Sequence, residues 1–293
     1  MSVPRHTPVL PAEVLCWLQP RAGMILVDGT LGGGGHTRLL AETLSGDGYV
    51  LALDRDAAAL SAAEKNLTGL PVKIAHANFC DLPGVLDELA VPAVDGILLD
   101  LGLSSDQLAD DSRGFSFDAA GELDLRFDVE EGEPAWRLLA RLEEREIADV
   151  IYKYGEERFS RRIARRIVEA RNQSPIKSAA QLADLVRHSV PRSPKERIDP
   201  ATRTFQALRI AVNQELESLE LALARLPDRL KPGGRLAIIS FHSLEDRLVK
   251  EAFRSDPRLE PLTKKPIIAS DEEIAGNPRS RSAKLRVAAR RQQ

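Results

Sequence analysis

Between Met24 and Leu101 the chain alternates short apolar runs with stretches whose apolar residues recur at helical spacing. Met24–Asp28, Tyr49–Asp54, Val72–His76 and Gly96–Leu101 have the length and β-rich composition of strands. His36–Leu44, Asp56–Leu67 and Asp81–Leu89 between them repeat with the period of a helix. Strands alternating with helices predict parallel pairing through crossover helices, and unbroken runs such as Ile97-Leu98-Leu99 fit strands buried on both faces. The expected fold class is α/β, an open doubly wound sheet.

Past Leu103 the alternation stops. Residues 104–133 are rich in Asp, Ser and Gly, and four helices follow: Pro134–Leu142, Glu146–Tyr154, Glu156–Asn172 and Ser178–His188. One long helix is expected from about Thr202 to Leu226, and after Lys231-Pro232-Gly233-Gly234 the apolar run Arg235–Ser240 returns to the strand pattern. The simplest organisation is an α/β domain built from residues 1–107 and 201–293, with an all-α domain, 108–200, inserted into it.

Length and composition agree with a soluble globular protein: 293 residues, 43% hydrophobic and 29% charged, with no apolar run long enough for a membrane helix. The segment Met1–Pro11 lacks the apolar centre of a secretory leader, so the expected location is cytoplasmic. Cys16 and Cys80 have neither disulfide nor metal-ligand spacing and are expected to be plain buried residues; no metal cluster is visible. The net charge of −3 conceals a division, because residues 1–136 carry −14, residues 137–209 carry +7 and residues 210–293 carry +4. A basic second half suits a polyanionic partner, although an Arg-rich helix face is equally often a solvated surface.

The first strand runs into Asp28-Gly-Thr-Leu-Gly-Gly-Gly-Gly-His36, which opens a helix. Consecutive glycines there let a ligand approach the main chain, and the free N–H groups of the helix start suit a carboxylate or phosphate. Gly34, Gly35 and His36 are the candidate contacts. Asp54, at the end of the second strand, stands where an acid bonds a ribose hydroxyl. Together these describe an adenosine-containing ligand. Reading Gly-x-Gly-x-x-Gly from Gly32 puts Thr37 at the third glycine, which weakens a dinucleotide. An acid at Asp28 would repel a pyrophosphate and tolerate a sulfonium or ammonium, so S-adenosylmethionine fits better. Phe79 is either a face for the adenine or core. Asp100 ends the fourth strand and faces the same crevice unless it only caps the next turn, with Ser104 and Gln107 just beyond. In Ser240-Phe-His-Ser-Leu-Glu-Asp246, His242 either meets the substrate or belongs to the cap of the following helix.

Seven ordered motifs then resemble one family: Asp28-Gly-Thr-x-Gly-x-Gly-Gly-His36, Asp54-Arg-Asp56, Asp100-Leu-Gly-x-Ser-Ser-x-Gln107, Arg113-Gly-Phe-Ser-Phe117, Tyr154-Gly-Glu-Glu-Arg-Phe159, Ala201-Thr-Arg-Thr-Phe-Gln206 and Ile239-Ser-Phe-His-Ser-Leu-Glu-Asp-Arg247. They resemble the RsmH (MraW) family of bacterial N4-cytosine methyltransferases of small-subunit ribosomal RNA. The resemblance implies a class I (Rossmann-like) methyltransferase core with a helical insert. It implies S-adenosylmethionine held by Gly34, Gly35, His36, Asp54, Phe79, Asp100 and Gln107. The implied substrate is cytidine 1402 of 16S ribosomal RNA in the assembled small subunit, with Asp100, Ser104 and His242 as candidate catalytic groups. Phosphate contacts are expected from Arg158, Arg162, Arg166, Arg203 and Arg209 and from the basic tail. No membrane partner is expected, and a homodimer is left open.

Overall fold

The computed structural model describes residues 8–104, 107–108, 110–117, 121–191 and 199–292. The chain forms two compact units: Met1–Ser104 with Leu216–Gln293, and Ser105–Glu215. The inserted unit thus extends past the expected limit of residue 200 and takes in the helix that follows.

In the first unit, strands β1 (Ile25–Asp28), β2 (Tyr49–Asp54), β3 (Val72–His76), β4 (Val94–Asp100) and β5 (Leu230–Ser240) pair in parallel. Strands β6 (Leu259–Pro261) and β7 (Lys284–Arg290) complete a seven-stranded sheet of order β3-β2-β1-β4-β5-β7-β6. β7 runs antiparallel to both β5 and β6. Helix α1 (Pro11–Leu18) precedes β1, and α2 (Gly35–Thr43), α3 (Ala57–Asn66) and α4 (Leu82–Glu88) fall between the first four strands.

The pleat explains the unbroken apolar runs. Val27, Leu51, Ile97, Leu99 and Ile238 pack in one core, with Leu82 and Leu86 of α4. Their neighbours Leu26, Val50, Leu98 and Ile239 pack in another, with Val14 and Leu18 of α1 and Leu40 of α2. Successive residues point to opposite faces, so a strand covered on both sides must be apolar throughout. Cys80 is buried as expected, but Cys16 is exposed on α1 because its position faces away from Val14 and Leu18. Among the described residues no helix is long and apolar enough to cross a membrane.

The second unit holds α5 (Ala135–Arg141), α6 (Glu144–Gly155), α7 (Ser160–Arg171), α8 (Ala179–Ser189) and α9 (Ala201–Asn213). Their buried residues recur at helical spacing, as in Ile147/Ile151, Ile163/Ile167 and Leu182/Val186. α8 begins with a reciprocal cap: Gln181 N–H donates to Ser178 Oγ at 3.2 Å and Ser178 N–H to Gln181 Oε1 at 3.1 Å. α6 ends at Gly155, where a Cβ would lie 2.5 Å from the Arg203 carbonyl oxygen of α9. Only glycine admits that approach.

The single helix expected over 202–226 is two. α9 stops at Asn213, Gln214 turns left-handed at φ 51°, and α10 runs from Glu215 to Arg225. Asn213 gives the physical reason. Its amide donates to the Leu125 and Arg209 carbonyls at 2.7 and 2.9 Å, and its Oδ1 accepts the Phe127 N–H at 2.7 Å. A side chain that satisfies a loop's main chain outweighs helical continuity.

Candidate active site

Hydrogen bonds from three strand ends shape the glycine turn. Gly29 N–H donates to Leu98 O at 2.9 Å and Leu31 N–H to Leu53 O at 2.8 Å, which ties the turn to β4 and β2. Gly29 leaves little room for a side chain, since a Cβ would sit 2.5 Å from Leu99 Cδ2 and that methyl would have to shift. Asp54 accepts from Gly32 N–H at 2.7 Å and from Asp56 N–H at 2.9 Å. Burial nonetheless pushes its carboxyl up to about 6.

Asp28 differs from the sequence reading. It is fully buried and accepts from Thr37 Oγ1 at 2.7 Å and from Thr30 N–H at 3.2 Å, so it braces the turn from behind instead of facing a cationic ligand. Burial raises its pKa. Thr30 Oγ1 in turn accepts the N–H of Asp100 at 2.7 Å, joining the ends of β1 and β4. Gly34, at φ 79°, donates its N–H to Leu31 O at 2.8 Å, so that group serves the turn.

A cleft opens in front of this turn, lined by Gly32, Gly35, His36, Asp100, Ser104 and Phe241 among others. Four of the expected residues, Gly35, His36, Asp100 and Ser104, therefore meet in one place. His36 Nε2 lies 3.6 Å from Asp100 Oδ2. Both imidazole nitrogens and Asp100 Oδ1 are buried without a hydrogen-bond partner among the described residues. Buried polar atoms left unpaired are costly, and a polar ligand satisfies such groups. Phe241 packs on Gly102, where a Cβ would fall 2.6 Å from its ring. Positive φ at Gly32 and Gly34, the free N–H groups of the α2 start and these unpaired atoms fit the amino-acid and ribose parts of an adenosyl cofactor.

The other expected residues are placed differently. Asp54 does not line the cleft and reaches it through Gly32. Phe79 is half-buried and packs on the core of one sheet face. His242 is the N-cap of helix α11 (Ser243–Ser255): its Nδ1 accepts from Glu245 N–H at 3.4 Å, and Glu245 Oε2 accepts the N–H groups of Phe241 and His242 at 2.8 and 3.3 Å. The capping reading describes it. Gln107 falls in the second unit and rests on the motif alone.

The arginines divide as well. Arg158, Arg161, Arg162, Arg165 and Arg166 are exposed, with Arg165 3.8 Å from Glu144 and Arg166 3.1 Å from Glu169. Arg203 is half exposed and 3.7 Å from Glu157. Arg209 is a correction, because Glu215 holds it at 2.8 and 2.9 Å in a nearly closed pair, leaving its fork engaged. Three cations of the basic tail are engaged as well. Arg286 is buried against Asp246 at 2.7 Å, Arg290 donates to the Leu230 carbonyl at 2.6 Å and Arg291 to that of Leu259 at 3.0 Å. These cations hold a sheet edge together.

The sequence reading missed Val9 and Arg279, which also line the cleft, and the strand β7 behind them. No local motif marked them.

A parallel sheet with one reversed strand near its edge, carrying a glycine turn and an acid at successive strand ends, defines a class I S-adenosylmethionine-dependent methyltransferase. The model of the MraW methylase family matches residues 4–291, and the chain belongs to that family. It is 52% identical to a ribosomal RNA small subunit methyltransferase H of Rhodopirellula baltica, over 97% of this chain and 91% of the relative. To proteins of the same name from Pelobacter propionicus and Deinococcus deserti it is 50% and 51% identical, over 96% and 97% of this chain and 97% and 93% of theirs.

Proposed function

We propose that the protein methylates the exocyclic N4 amine of cytidine 1402 in 16S ribosomal RNA, acting on the small ribosomal subunit in the cytoplasm. The near full-length likeness to relatives named for small-subunit ribosomal RNA supports the RNA class. The observation that carries the chemistry is Asp100 Oδ1, a buried acceptor that lines the glycine-turn cleft and has no partner among the described residues.

When bound, S-adenosylmethionine supplies an electrophilic methyl group on its sulfonium. Gly35 and His36 would hold its amino-acid end, with Gly34 shaping the turn; Asp54 and Phe79, which lie outside the cleft lining, would meet the ribose and the adenine where the cofactor extends beyond it. The amine of cytosine is a weak nucleophile because its lone pair is delocalised into the ring. Asp100 accepts one amine N–H, which localises that pair and orients it towards the methyl group. This carboxylate would take the proton that the amine nitrogen gives up as it receives the methyl group and the sulfonium leaves as a thioether. Ser104, buried beside it, orients the same amine. Phe241 offers an aromatic face to a base turned out of its stack. The exposed arginines Arg158, Arg162, Arg166 and Arg203 contact phosphates of the RNA.

The test is nucleoside mass spectrometry after incubation with labelled S-adenosylmethionine and either unmethylated small subunits, free ribosomal RNA or DNA. N4-methylcytidine on the subunit alone is the expected result. A different methylated nucleoside, or cofactor binding without transfer to any of them, overturns it.

A further inference from the structure

Helix α11, strand β6 and the loop after it enclose a second cleft that shares no residue with the first. Phe253 and Pro261 line it, and Lys250, Arg254, Lys264 and Arg286 surround them without an acidic residue. Arg286 is fixed, because Asp246 accepts its Nε–H at 2.7 Å. Lys250, Arg254 and Lys264 are exposed. Lys250 and Arg254 stand four residues apart on one helix face and both line this cleft, where no acid separates them. Cations gathered on one cleft without an acid among them suit a polyanion. We propose that this cleft takes the phosphodiester backbone of the substrate RNA. The lysines act as point charges, the arginines as forks for phosphate oxygens, and the apolar lining accommodates a ribose. The proposal rests on the RNA reading above and adds a place where the methyltransferase unit itself grips the RNA.

The experiment uses the full chain carrying K250A and R254A, both exposed positions, and measures binding to small-subunit ribosomal RNA between about 50 and 200 mM salt. Two lost phosphate contacts lower the slope of log affinity against log salt by about 1.4–1.8. Affinity for S-adenosylhomocysteine stays at the wild-type value and reports the fold. An unchanged slope overturns the proposal. Absence of RNA binding by the wild type would instead overturn the functional reading.

A different observation, inside the glycine-turn cleft, carries a second inference. Arg279 lines that cleft from the short turn Pro278–Ser282, which Ser280 pins by donating to Asn277 O at 2.8 Å. Leu10 N–H donates to Glu273 Oε1 at 2.7 Å and fixes the preceding helix, α12 (Asp271–Gly276). The amino-acid end of the cofactor is a zwitterion. Its carboxylate calls for a cation, and among the described lining residues Arg279 is the one permanent cation. We infer that Arg279 is a positioning residue for the cofactor carboxylate, on the reading that the cofactor occupies this cleft.

R279A is compared with R279K for binding of S-adenosylhomocysteine and of 5′-methylthioadenosine, which lacks the amino-acid carboxylate. R279A weakens the first by about 10–100-fold, R279K recovers part of the loss, and the second ligand binds as before. Equal loss for both ligands means a structural role and overturns the inference. A wild type that binds neither overturns the cofactor reading.

Discussion

The carboxylate of Asp54 accepts the main-chain N–H of Gly32 at 2.7 Å, so the end of one strand fixes the shape of the glycine turn after another. Its carboxyl is pushed up from 3.8 to about 6 by burial, against the pull of the Asp56 and Gly32 N–H groups. On the proposed reading, a ribose diol of the bound cofactor donates to the ionised form. Binding of S-adenosylhomocysteine, followed by calorimetry, is therefore expected to weaken below about pH 6, approaching tenfold per unit. D54N binds more weakly at pH 8 and loses this dependence. For the free protein the sign is opposite: the raised pKa favours folding below 3.8, and that contribution fades as pH rises through about 6.

Asp246 shows the reverse case. Burial alone would raise its pKa, but the hydrogen bond and charge of Arg286, helped by Lys284, hold it below the ordinary carboxylate value. The stability this provides is present above pH 3.8 and is lost as pH falls through the lowered value. Replacing Asp246 by Asn leaves buried Arg286 without its counter-charge. A loss of about 2–4 kcal/mol at pH 7 is expected in urea unfolding, shrinking towards zero in strong acid.

This pair also explains what could not be read along the chain. Four of the five parallel strands were legible because burial on both faces leaves a local mark, a continuous apolar run, whereas the partly buried β3 shows only alternating apolar residues. β7 leaves no such mark: Arg286 interrupts its pattern, and the acid that neutralises it lies 40 residues earlier in α11. The tail therefore reads as a free basic segment. In the site, Asp54 and Asp100 were legible from their places at strand ends, whereas the burial of Asp28 depends on Thr30 and Thr37 closing over it. Arg209 was counted as a free cation because its partner Glu215 lies beyond a helix break that periodicity does not show.

That break is testable by itself. Gln214 adopts φ 51°, a conformation costing a non-glycine residue roughly 1 kcal/mol. Gln214→Gly is expected to stabilise the protein by up to about 1 kcal/mol. Asn213→Ala strips the partners from the Phe127 N–H and Leu125 carbonyl and is expected to cost about 2–4 kcal/mol. Chemical unfolding of the two variants should move in opposite directions. A shift in the same direction would show that the turn is not held by the Asn213 amide.

Gly29 separates packing from chemistry. A methyl group there would meet Leu99 Cδ2 at 2.5 Å and Phe79 Cβ at 3.0 Å, both on the core face behind the turn. Gly29→Ala is expected to cost about 1–3 kcal/mol of stability and to weaken cofactor binding by displacing the turn. Asp100→Asn should behave otherwise. Asn keeps an oxygen acceptor, so the fold and much of the cofactor affinity survive, but it cannot take the amine proton. Turnover at saturating cofactor is expected to fall by about 10²–10⁴. Ser104→Ala, which removes a hydroxyl but no base, should cost less than Asp100→Asn. If both variants turn over at the wild-type rate under single-turnover conditions, neither group orients the amine, and the proton leaves by another route.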